Sequence, residues 1–147
     1  MGNTMNKNYQ KSLLDVYSTT AQTLITGQTV AYTGVNIDTG CSIEYLSPTG
    51  ARIVKPGVYL VSFIGTASAS VAGNVTLQVQ RDGVLIPAAT ATETYANTTD
   101  LHSFVIETLV RVPPSCCVIQ NQPVISVVNT GVGAVFNTAK LMVTKVC

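Results

Sequence analysis

The side chains best suited to chemistry are few. The 147-residue chain holds one histidine, four cysteines and seven carboxylates. Asp100 and His102 stand two apart, a spacing that puts both on one face of a strand and would let the carboxylate orient the imidazole as a general base. That base needs a nucleophile, and no G-x-S-x-G elbow accompanies it, so the pair reads as a surface histidine beside a loop aspartate. The carboxylates Asp15, Asp38, Glu44, Asp82, Glu93, Asp100 and Glu107 are scattered, and nothing in their spacing favours the paired acids of a glycoside hydrolase. A phosphate-cradling G-x-x-x-x-G-K-[ST] loop is absent. Cys41, Cys116, Cys117 and Cys147 make no C-x-x-C, and with a single histidine they form no zinc pattern. They read as buried free thiols or as partners in a disulfide. No catalytic, cofactor-binding or metal-ligating residue is assigned, and a non-enzymatic protein is expected. Two N-glycosylation sequons, Asn74-Val-Thr76 and Asn97-Thr-Thr99, are what chance supplies in a chain rich in Asn and Thr.

The elements around these residues are strands. From about Thr29 onward, short runs rich in Thr and Val alternate with turn signals. Ser47-Pro-Thr-Gly50 has the signature of a type I turn, and Lys55-Pro-Gly57 that of another. Gly57 opens a long strand through Ser70. Val75, Leu77 and Val79 alternate with Thr76, Gln78 and Gln80, and Asp82-Gly83 supplies the positive φ of a type I′ hairpin. Its second strand runs from Val84 toward Thr92, where Pro87 marks an edge or a bulge. His102 to Val112 sets Phe104, Ile106, Val110 and Val112 on one face and Ser103, Val105, Glu107, Leu109 and Arg111 on the other. One or two strands lie between Val118 and Asn129, and a last one between Thr138 and Val146. Eight to ten strands at this spacing predict an all-β, two-sheet antiparallel sandwich. Tyr59, Val61, Phe63, Val75, Leu77, Val79, Phe104, Ile106, Val110, Leu141 and Val143 are its predicted core.

Two features point to self-association. Charged residues make up only 10% of the chain, against about 25% in an ordinary soluble domain. Several strands are also apolar on both faces: Leu60 and Ile64 oppose Tyr59 and Phe63, and Val105 and Leu109 oppose Phe104 and Ile106. A sandwich needs one apolar face per sheet, so Leu60, Ile64, Val105 and Leu109 are expected at a subunit interface. Basic residues are scattered, which disfavours nucleic acid and an anionic membrane surface. The polar start, Met1-Gly-Asn-Thr-Met-Asn-Lys7, has no apolar run of a secretory signal. Asn6 stands where a myristoylation motif wants Ser or Thr, and no run reaches the length of a membrane span.

Residues 1–28 differ in pattern. Tyr9, Leu13 and Val16 are spaced four and three, which suits a short helix over 7–17, too short to stand alone in water. Such a segment is disordered, docked on the sandwich, or an arm gripping another protein. Tyr9, Leu13, Leu14, Val16 and Tyr17 form the apolar cluster such an arm would use.

Lys55-Pro-Gly-Val-Tyr-Leu-Val-Ser-Phe63 resembles the G-x-Y-x-V-x-F strand of the tumour necrosis factor and complement globular-head superfamily. Asn74-Val-Thr-Leu-Gln-Val-Gln-Arg-Asp-Gly-Val-Leu-Ile86 resembles its next hairpin, and Val124 to Val146 its closing strands. The likeness covers residues 29–147. It is nearest to bacterial and phage members, such as the C-terminal domains of collagen-like spore-surface proteins and small prophage-encoded proteins. It implies a ten-stranded jelly roll, a homotrimer, and a division into an attachment arm (1–28) and a jelly-roll domain (29–147). It also implies neighbouring first and last strands, and so a possible Cys41–Cys147 disulfide. Cys116 and Cys117 would point to opposite faces of a strand and not bridge to each other. No Gly-X-Y stalk is present, which favours a virion protein over a spore-coat one. The expected role is a head fibre, head decoration or adsorption tip, without cofactors, assembled in the host cytoplasm and bound to other capsid or tail proteins and to a host-surface receptor. The alternative is a cell- or spore-surface adhesive module that binds a glycan or protein receptor.

Overall fold

Period-two alternation sets the architecture. Phe104, Ile106, Val110 and Val112 turn inward and are buried, while Ser103, Val105, Glu107, Leu109 and Arg111 between them are exposed. The computed structural model describes residues 11–114 and 122–147. Its strands are β1 (Leu13–Ser18), β2 (Gln22–Leu24), β3 (Gly34–Thr39), β4 (Ile43–Leu46), β5 (Gly50–Ile53), β6 (Gly57–Ala69), β7 (Gly73–Arg81), β8 (Val84–Tyr95), β9 (His102–Val112), β10 (Val124–Asn129) and β11 (Ala134–Lys145). One sheet has the order β3-β1-β11-β6-β9, with β2 also paired to β11; the other has the order β4-β5-β10-β7-β8. The pairings within both sheets are antiparallel. The fold is the expected jelly-roll sandwich.

All eleven predicted core residues are buried between the sheets, joined there by Leu14, Tyr32, Tyr95, Ile125 and Phe136. Gly65 sits over the Phe63 ring, where an added Cβ would lie 2.9 Å from the ring tip. The hairpin turn has φ 53° at Asp82 and 83° at Gly83, as a type I′ turn requires. Asp82 also ties this turn to β10: its N–H donates to the Val124 carbonyl at 2.9 Å, and its carboxylate accepts the Val124 N–H at 2.9 Å. Strand β8 ends its sheet, so Pro87, which has no N–H, stands on an edge. Across from it the β7–β8 register slips between Gln78 and Gln80. The Ser47–Pro48 bond is cis, and Thr49 N–H closes a turn on the Leu46 carbonyl at 3.0 Å. The turn therefore spans Leu46–Thr49, with proline third, in place of the type I turn over 47–50.

The N-terminal expectation is corrected. Leu13–Ser18 is a strand, not part of a helix over 7–17, and it lies between β3 and β11. Leu14 and Val16 are fully buried core residues, and Leu13 and Tyr17 are half-buried on the opposite face. Leu14 and Val16 are therefore not available to an attachment arm, whereas Leu13 and Tyr17 stand on the outer face of the sheet; Tyr9 lies outside the described residues. The first strand of the sandwich is Leu13–Ser18, ahead of Thr29, because Leu14, Val16 and Ser18 alternate inward while two ladders satisfy the backbone. A helix of that length offers no comparable compensation.

Leu14→Ala is therefore expected to lower unfolding stability by about 2–5 kcal/mol, the cost of a core cavity, read as a shift in urea midpoint at unchanged slope. A midpoint equal to that of the parent chain would return this segment to the status of a loose arm.

Candidate assembly face and exposed tip

The outer face of the β3-β1-β11-β6-β9 sheet carries the four predicted interface residues. Register places Leu60 opposite Leu109 and Ile64 opposite Val105, so they form one patch on adjacent strands. Ile64 is 45% exposed, Val105 61% and Leu109 61%; Leu60 is half-buried. The rows extend across the sheet to Thr144 and Leu13 beside Leu60, and to Lys140 and Tyr17 beside Ile64.

Between these rows runs a polar one that sequence reasoning missed. Asp15, Met142, Ser62 and Glu107 stand side by side on β1, β11, β6 and β9. Asp15 and Ser62 are buried although they lie on the outer face. One Asp15 oxygen, Oδ2, accepts from Lys140 Nζ at 3.1 Å and from Asn36 Nδ2 at 2.9 Å; Oδ1 is buried without a hydrogen-bond partner. The signal was present in Leu14-Asp15-Val16, where an acid between two inward residues must face outward, but the helical spacing obscured it.

A groove of about 220 Å³ lies at the edge where β8 of one sheet meets β9 of the other. Val84, Leu85, Ile86, Pro87 and Leu109 line it. Arg81 and Arg111 flank it, and Arg81 Nη1 donates to the Arg111 carbonyl at 2.9 Å. Leu109 belongs to both surfaces, so the groove continues the patch around the edge.

The two ends of the sandwich differ. Ala134 pairs with Ala69 and Leu24, Ala67 with His102, and Gly73 with Tyr95. The β6–β7 loop (70–72) and the β8–β9 loop (96–101) thus share one end, together with residues 25–28 and 130–133. Ile25, Val71 and Leu101 are exposed there. His102 lies just below: its Nδ1 is 3.0 Å from Glu93 Oε1, and Tyr95 meets its ring edge-on at 4.4 Å. Its partner is Glu93 rather than Asp100, and the contact clips β8 to β9 across the two sheets. The Tyr95 phenol donates to the Ala67 carbonyl, and burial pushes its pKa up against the lowering effect of a hydrogen bond from the His102 backbone. At the opposite end, a depression of about 470 Å³ is lined by Lys11, Cys41, Lys55, Lys145 and Cys147, among others. Cys41 and Cys147 are free thiols. Cys41 sits in the turn after β3, and β1, not its strand, is the neighbour of β11. Cys116 and Cys117 lie outside the described residues. Among the described residues, no group of three His, Cys, Asp or Glu is placed to hold a metal.

No family model and no curated protein matches the sequence. The fold is nevertheless shared with solved structures. The globular domain of zebrafish complement 1qA matches with a TM-score of 0.64 at 10% identity, over 93% of this chain and 98% of that one. The vertex protein P5 of PRD1 matches with a TM-score of 0.60 at 14% identity, over 93% and 98%. Murine APRIL matches with a TM-score of 0.63 at 12% identity, over 92% and 99%. These are the tumour necrosis factor and complement-head jelly rolls that the strand motifs resemble.

The Asp15–Lys140 pair yields a test. Lys140→Met leaves a buried carboxylate underpaired and is expected to destabilise by about 1–3 kcal/mol. Asp15→Leu combined with Lys140→Met is expected to recover most of that loss, since an apolar pair can replace a buried ion pair. Denaturation of the parent, both single variants and the double variant measures the coupling; additive effects would show that the two groups do not interact.

Proposed function

We propose that this chain is a non-enzymatic, trimeric structural and display protein of a bacteriophage virion, held to the particle by its Lys11 end and exposing the opposite loops. The observation that carries this is the apolar patch of Leu60, Ile64, Val105 and Leu109, continuous through Leu109 with an apolar groove on the edge of the same chain. Isolated surface leucines need no explanation, but a patch continuous with a groove marks a contact.

Patch and groove are different surfaces. When the face of one copy meets the edge of the next, the contact is heterologous, and it closes into a ring when the rotation permits. The family resemblance implies three copies. Glu107 lies on the face and Arg81 flanks the groove, while Arg111, on the same strand face as Glu107, borders both. Low overall charge fits a chain that hides one sheet face. The virion role draws support from the fold shared with a phage vertex protein. Because β1 belongs to the sandwich, attachment falls to residues 1–10, which enter beside Lys11. Loops on a rigid scaffold are where receptor contacts vary freely, and here they gather at the far end.

Light scattering is expected to return a trimer at micromolar concentration, and Leu109→Lys or Val105→Asp a folded monomer with the parent circular dichroism. Deleting residues 1–10 is expected to spare the trimer and abolish its incorporation into particles, whereas deleting 1–28 removes β1 and unfolds the domain. A monomeric parent chain would refute the assembly, and full incorporation without residues 1–10 would refute the attachment.

A further inference from the structure

The depression at the Lys11 end is built from two chain segments, each held by its backbone. Gly40, at φ 74°, lets the turn after β3 press against Ser12: an added Cβ would lie 2.3 Å from Ser12 Oγ. The same hydroxyl oxygen accepts the Ser42 N–H at 3.0 Å, so Cys41 is fixed between two anchored residues. On the other side, Val58 N–H donates to the Cys147 carbonyl at 3.0 Å, and Val146 N–H to the Val58 carbonyl at 2.7 Å. Cys41 is half-buried and Cys147 exposed. Lys55 donates from Nζ to Cys41 Sγ at 3.0 Å, and the Tyr59 hydroxyl steadies its backbone by donating to the Lys55 carbonyl at 2.7 Å. The Cys41 sulfur raises the Lys55 pKa, first through that hydrogen bond and then through charge. Lys11 and Lys145 complete a basic rim.

We propose that Cys41 and Cys147 form a thiol–disulfide exchange site for small anionic disulfides of the glutathione type, with Cys41 as the attacking thiolate and Cys147 as the resolving thiol. Lys55 Nζ, 3.0 Å from Cys41 Sγ, places a charged donor on the attacking sulfur, and the thiolate is the nucleophilic form. The lysine rim suits carboxylates of the incoming disulfide. Cys41 attacks one substrate sulfur; the substrate S–S bond breaks, and one low-molecular-weight thiolate leaves and takes up a proton. Cys147, deprotonated, then attacks the Cys41 sulfur of the mixed disulfide and releases the second thiolate, which is protonated in turn. The protein dithiol loses two hydrogens and becomes a disulfide, and the substrate disulfide becomes two thiols. The product ties the turn after β3 to the end of β11. This site lies apart from the patch and groove of the proposed ring, at the Lys11 end proposed for attachment, and its test uses the free chain.

The test treats the full chain, carrying Cys116→Ser and Cys117→Ser, with glutathione disulfide and follows intact mass and peptide maps. The parent background is expected to lose two hydrogens and yield a Cys41–Cys147 linked peptide. Cys147→Ser is expected to stop at one glutathione on Cys41. Lys55→Met is expected to slow modification of Cys41 by about tenfold at neutral pH, with recovery in Lys55→Arg. Added salt is expected to slow glutathione disulfide but not the neutral hydroxyethyl disulfide. Site-resolved mapping of the unsubstituted chain gives the same readout should the serine background fold poorly. An unchanged rate in Lys55→Met, or stable glutathionylation of Cys41 with Cys147 present, would overturn the proposal.

Discussion

The pairing of β11 with its neighbours is the constraint on which the rest depends. From Ala134 to Lys145 it runs along β6, and its other edge pairs with β1 and β2. Its inward residues Phe136, Leu141 and Val143 are fully buried. Strand side chains alternate strictly, so a slip of one residue would turn all of these to the outside. The slip that does occur, between Phe136 and Thr138, is absorbed by one extra residue, and Ala139, Leu141 and Val143 still face inward. The same register delivers Lys140 to Asp15 and sets Met142 beside Ser62. The order of the outer face is thus a by-product of the register that builds the core.

That coupling explains why the outer face can hold a buried acid. Asp15 is covered within a single chain although it points away from the core, because β3 on one side and Lys140 on the other close over it. A buried ion pair contributes little net stability, but it fixes which groups stand beside Leu60 and Ile64. The apolar patch is therefore divided by a polar row. A uniformly greasy face would associate in many registers; an apolar face with one fixed acid row admits few.

What was legible in the sequence follows from how local each signal is. The hairpin at Asp82-Gly83 and the alternation through β7 and β9 are written in adjacent residues, and all eleven core residues chosen by alternation are buried. The patch was legible too, since apolar residues on both faces of β6 and β9 leave one face without a partner inside the sandwich. The N-terminal segment was not. Tyr9, Leu13 and Val16 mimic a helical stripe, while the competing alternation of Leu14, Val16 and Ser18 spans only β1. Its burial depends on β11, more than a hundred residues away. The Glu93–His102 contact and the Lys55–Cys41 contact were hidden for the same reason: each joins segments that only the folded topology brings together.

Topology also gives the molecule a direction. The chain enters β1 beside Lys11 and leaves β11 at Cys147, at one end; the long strands β6, β8, β9 and β11 carry it to loops at the other. The two ends differ chemically. The entry end gathers three lysines and two thiols around an open depression, while the loop end displays Ile25, Val71 and Leu101 among hydroxyls and amides. In a ring built from face-to-edge contacts, all copies share one polarity along the axis, so every entry end lies on one side and every loop end on the other. Such a ring has a side suited to being held and a side suited to being shown. A two-fold pair built patch on patch would offer that separation only where its axis ran along the strands. The separation of entry and loops, not any single residue, is the feature of this fold on which the proposed ring and its display role rest.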